Sequence, residues 1–127
     1  MLTVRAAQRE ALIDARAPAL AEAIELYLRL QHADTLAGMD DALVARRVGI
    51  GLRRARGWGF DSMFGLGLFV ALMFETAPDF DTDPRIAAIL SDPSQPLNAR
   101  LASLETALSL QDWEQLAAAA RSAGWKD

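Results

Sequence analysis

The run MFGLGLFVALMF, Met63 to Phe74, holds twelve residues without a single charge. A membrane span needs roughly 18 or more such residues, so this run is too short to cross a bilayer. Wound as a helix, it carries apolar side chains on every face, the pattern of a helix surrounded by other helices. Gly65 and Gly67 each cost about 1 kcal/mol of helix propensity against Ala, and close approach of a neighbouring backbone is the expected compensation. A chain containing this run is expected to fold around it.

The remaining sequence supplies the wrapping. β-Branched residues are sparse, no segment alternates cleanly, and Ala, Leu, Arg, Glu and Gln dominate, all good helix formers. The expected fold is all-α: one domain, 1–127, with five to six helices bundled around a central apolar helix at about 62–76. A length of 127 residues at 52% hydrophobic content fits a single domain.

Thr3 is the expected cap of the first helix, which runs to about His32 with a stripe through Val4, Ala7, Ala11, Leu12, Ala15, Ala19, Ala23, Leu26, Tyr27 and Leu30. Pro18 predicts a kink or a restart in it. The second helix is expected from Asp40 to Arg56, with acidic residues at its start, arginines at its end and Gly57 as its left-handed stop. Asp61 is the expected cap of the third, Ser62 to Thr76, which Pro78 ends. Pro84 to Leu90 and Leu97 to Leu110 follow, the latter with Leu97, Leu101, Leu104 and Leu108 on one face. Asp112 is the expected cap of a last helix, Trp113 to Ala123, closed by Gly124. There the alanines and Trp113 and Trp125 suit close docking on the core or on a partner helix.

Charge and composition narrow the function. Cysteine is absent, which excludes disulfides, thiolate metal sites and cysteine nucleophiles. A net charge of −4 argues against nucleic acid as a partner, which demands a basic footprint. The charged N-terminus lacks the apolar core of a signal peptide, so a cytoplasmic protein is expected.

Asp79, Asp81 and Asp83 in APDFDTDPRIAAIL match the first three ligands of a calcium loop. The match then fails twice. Pro84 stands where the sharp turn wants Gly, and Leu90 where a bidentate Glu should close the shell. Asp83 before Pro84 is instead a helix cap followed by proline in the first turn, with Phe80 turned inward and Arg85 offsetting charge. A turn into a helix is the favoured reading, a weak divalent site the alternative.

His32 has no G-x-S-x-G elbow to serve, and at a helix end it reads as a C-terminal cation or a solvated side chain. The pairs Glu10 with Asp14 and Glu22 with Glu25 lie beside arginines, as on a solvated helix face. The glycines at 57, 59, 65 and 67 form no phosphate loop. Neither catalytic residue nor cofactor nor metal is expected.

Five arginines crowd one helix: Arg46, Arg47, Arg53, Arg54 and Arg56, followed by Trp58 and Phe60. Arg and Trp are favoured anchors at interfaces, so Arg53, Arg54, Arg56, Trp58 and Phe60 are the candidate partner-binding residues. The plain alternative is an outer, solvated face. A second functional reading is a helical pocket for a small apolar ligand around Phe64, Phe69, Met73 and Phe74.

Three stretches, MLTVRAAQREAL, RRVGIGLRRARGWGF and FVALMFETAPDFDTDPRIAAILSDPSQPLNARL, together resemble small helical proteins of unassigned activity encoded in or near proteobacterial type VI secretion and effector gene clusters. The resemblance implies an accessory protein: an adaptor, a chaperone-like protein or an immunity protein. Its partner would be an effector or secretion component, with homo-oligomerisation left open. It carries over no catalytic residues. Gly65, Gly67 and the alanine-rich tail depart from the pattern.

Overall fold

Helix ends in this chain are set by side chains that satisfy the orphan amides of the first turn and by glycine or proline at the last. In the computed structural model, which describes residues 17–119 and Trp125, seven α-helices and one 3-10 turn follow one another without a strand among the described residues. These are α1 (Ala17–Gln31), α2 (Ala33–Leu36), α3 (Asp41–Trp58), α4 (Met63–Glu75), the 3-10 turn Phe80–Thr82, α5 (Pro84–Leu90), α6 (Leu97–Ala107) and α7 (Leu110–Ala119). The all-α class expected from composition is the class observed. The Thr3 cap, the stripe from Val4 to Ala15 and the Gly124 stop fall outside the described residues.

Several boundaries differ from expectation, each for a local reason. Gly57 stays helical, and Gly59 takes the left-handed conformation (φ +102°) instead. The Gly59 N–H donates to the Arg56 carbonyl and the Phe60 N–H to the Ala55 carbonyl, a Schellman closure that also buries Phe60 against Ala55. Ser62, not Asp61, caps α4: its hydroxyl accepts from the Gly65 N–H at 3.1 Å. The long fifth helix divides at Leu108. Ser109 and Asp112 then form a reciprocal capping box at the start of α7, with the Ser109 N–H donating to the Asp112 carboxylate (3.0 Å) and the Asp112 N–H to the Ser109 hydroxyl (3.1 Å). Asp83 caps α5 as expected, accepting from the Arg85 N–H at 2.9 Å, and Asp40, expected only as an acidic residue at the helix start, caps α3 by accepting from the Leu43 N–H at 2.8 Å.

Packing centres on α3 and α4. Helix α4 lies against α1, α2, α3 and α6. Leu66, Phe69, Val70 and Met73 are enclosed, with Phe69 between Phe60 and Phe80 at ring-centroid distances of 5.7 and 4.9 Å. The first turn of the same helix is different. Met63 is 44% exposed and Phe64 60%, so the dryness expected along the whole run begins only at Gly65.

The two glycines of that run part company here. A Cβ at Gly65 would stand 2.5 Å from Asn98 Oδ1 and 2.7 Å from the Phe60 ring, so side chains rather than a backbone occupy the space. At Gly67 the nearest atom outside its own helical turns, on the Tyr27 ring, is 3.9 Å away. Nothing in the packing of the described residues requires a glycine there.

Candidate functional site

The aspartate stretch and the arginine cluster meet at one joint. Arg54 and Trp58, four residues apart, share a face of α3. Asp81, only 5% exposed, reaches that face from the 3-10 turn. The Arg54 Nε donates to one carboxylate oxygen at 2.7 Å and the Trp58 indole N–H to the other at 2.8 Å. Both oxygens are thereby supplied with donors, as a buried carboxylate requires.

The neighbouring aspartates do other work. Asp83 caps α5 and pairs with the Arg85 side chain, which holds its carboxyl below the usual carboxylate range. Arg85 also reaches Asp112 at 2.9 Å; the Ser109 backbone N–H and then Arg85 lower that carboxyl as well. The Asp79 carbonyl accepts from the Thr82 amide and hydroxyl at 2.9 and 2.8 Å. No group of three or more acidic, His or Cys side chains suited to hold a metal occurs among the described residues.

The joint changes the meaning of the candidate docking residues. Arg54 and Trp58 are half-buried and committed to Asp81, while Arg56 is half-buried and Arg53 exposed. Phe60 is 2% exposed and belongs to the core, which removes it from any docking surface. Arg47 turns away from this joint. Its guanidinium lies 5.3 Å from the centre of the Trp125 ring, which packs on Phe74 at 4.9 Å.

A second region has the opposite character. Helix α1 carries two apolar stripes. Ile24 and Leu28 face inward and are fully buried. Leu26 and Leu30, 58% and 70% exposed, lie on the outer side beside Tyr27 and Ala23, at spacings of three, four and seven residues. Tyr27 of the same helix, with Met63, Phe64, Gly67 and Leu68, lines an almost wholly apolar pocket of about 280 Å³.

His32, where α1 ends, anchors this face. Its Nδ1 meets the Glu75 carboxylate at the end of α4, and its Nε2 lies 3.2 Å from the Tyr27 hydroxyl. Both contacts are satisfied with a proton on Nδ1 facing the carboxylate, the phenol hydroxyl serving Nε2 as donor or acceptor. His32 is partly buried and paired on both ring nitrogens rather than solvated. It is a bolt between α1 and the end of α4 that fixes the Tyr27 ring over Gly67.

Among the described residues, the apolar pocket expected around Phe64, Phe69, Met73 and Phe74 does not form as a unit. Phe69 and Met73 lie in the core, Phe74 packs on Trp125, and only Phe64 lines the pocket observed. Leu26 and Leu30 escape sequence reasoning because periodicity puts them in one stripe with Tyr27, which does pack against the core. No helix among the described residues is long and apolar enough to cross a membrane.

No protein-family profile, curated protein or solved structure matches this chain, and nothing in those comparisons links it to type VI secretion clusters. The described residues define an all-α protein with a satisfied polar joint and an exposed apolar face.

Proposed function

We propose that this chain is a non-enzymatic protein-interaction module that docks through the apolar face formed by α1 and the first turn of α4. One observation carries the reading: exposed Met63 and Phe64 line one apolar pocket with Tyr27, and α1, the helix that carries Tyr27, also exposes Leu26 and Leu30. Exposed apolar surface of this kind is a recurrent mark of protein docking. In the same reading Met63–Phe74 is the inner helix of the bundle, with its first turn reaching the docking face. The sequence resemblance alone suggests an effector or secretion component as a partner, which would make the module an adaptor, a chaperone-like protein or an immunity protein.

A photo-crosslinking phenylalanine analogue at position 64 should join the chain to another polypeptide in cells. The same probe at exposed Ala88 on α5 should not. Absence of any crosslink at 64 sinks the proposal.

The pocket itself favours a second reading, a binding protein for a small apolar ligand. Native mass spectrometry of freshly isolated chain should then show a bound species of fixed mass. A chain that always flies empty removes this alternative.

A further inference from the structure

The docking reading does not say what covers the face. We infer that its occupant is a second copy of this chain, joined about a two-fold axis near Leu26 with the two α1 helices antiparallel. This inference rests on the docking reading and adds the identity of the partner at that face; any further partner would meet the pair elsewhere.

The first ground is periodicity. Ala23, Leu26, Tyr27 and Leu30 recur at i, i+3, i+4 and i+7, the spacing with which one helix seats against another. The inward stripe through Ile24 and Leu28 is already used by the core, so α1 has apolar side chains for two neighbours.

Charge supplies the second ground. Two-fold pairing presents the same patch on both copies and therefore demands a patch complementary to itself. Glu22 and Arg29, seven residues apart, flank the outer stripe. Antiparallel pairing about Leu26 sets Glu22 of one copy beside Arg29 of the other, and symmetry repeats the contact. Parallel pairing would instead set Glu22 beside Glu22. Arg29 already meets Asp41 at 2.8 Å, but that pair is largely exposed and the guanidinium keeps further donors.

Gly67 is the third. It costs about 1 kcal/mol against Ala in a helix, and the nearest atom to a Cβ there is 3.9 Å away. The glycine instead opens the floor of the 280 Å³ pocket beside Tyr27. In the antiparallel arrangement Leu26 of the partner stands opposite Tyr27, as a knob facing this hole.

Sedimentation equilibrium of the full chain, from low to high micromolar, tests the inference. The expected mass is twice the 13.8 kDa of one chain. Leu26→Glu should weaken self-association at least tenfold with an unchanged far-UV circular dichroism spectrum, and Gly67→Leu, which fills the hole, should weaken it too. Glu22→Arg should weaken it, and adding Arg29→Glu should restore it. Failure of that restoration overturns the antiparallel pairing, and a dimer indifferent to Leu26→Glu overturns the surface. A single-chain mass at every concentration overturns the inference. If such a monomer still crosslinks from position 64 to a different protein, the docking reading survives; with no crosslink both fall. A monomer that dimerises once residues 2–16 are deleted shows that the chain covers its own face, and overturns the inference as well.

Discussion

At the joint between α3 and the 3-10 turn, the groups most conspicuous in the sequence are engaged with one another. Arg54 and Trp58 surround Asp81, Phe60 fills the core beneath, and Asp83 caps a helix. On the α1–α4 face, leucines, a methionine and a phenylalanine that would suit any core are left in water. The contrast teaches where to look for docking in a small helical protein. Buried polar groups acquire partners within the chain because leaving them without is costly, at about 1–3 kcal/mol each. Apolar groups carry no such obligation, so an excess of them on one face is informative.

Breaking the joint should have the largest effect. Asp81→Ala leaves the Trp58 indole and the Arg54 guanidinium without their acceptor and should cost about 2–3 kcal/mol in urea unfolding. Leu26→Glu on the open face should leave stability within about 0.5 kcal/mol. A joint variant as mild as the face variant would erase the contrast.

The two glycines sharpen it. Gly65→Ala must displace Phe60 and Asn98 and should destabilise by about 1–3 kcal/mol. Gly67→Ala meets nothing closer than Tyr27 at 3.9 Å and should stabilise by about 0.5–1 kcal/mol. Thermal unfolding of the two variants should move in opposite directions.

The smallest effect concerns acid. The Asp83 and Asp112 carboxyls are held low by their bonds to Arg85 and the Ser109 amide. Their contribution is therefore present above the ordinary carboxylate value of about 3.9 and is lost as the pH falls below it. The stability difference between the native chain and Arg85→Gln should shrink below about pH 4; a difference constant down to pH 2 would contradict the pairing.

The all-α class and the start of α5 were legible because composition, proline placement and Asp83 agree. Asp40 was legible as a negative charge at a helix start, not as its cap. The Schellman stop needed one more step. Both Gly57 and Gly59 suit a helix end, and only the need to bury Phe60 against Ala55 selects Gly59. The Ser109–Asp112 box was present as S-x-x-D but was hidden by the continuing leucine spacing. The partnership of Asp81 with Arg54 and Trp58 spans 27 and 23 positions, and no local pattern reports a pairing at that distance. The double stripe on α1 was invisible for another reason. Period alone marks a helix as amphipathic but does not say how many of its apolar side chains the core can accept.

Arg54 and Trp58 hold the two oxygens of a single carboxylate from successive turns of α3, so the helix cannot roll or slide without straining both contacts together. The indole proton of Trp58 thus acts as a built-in clock. Its hydrogen–deuterium exchange reports how often the turn leaves the helix, while the amides of α3 report how often the whole domain opens.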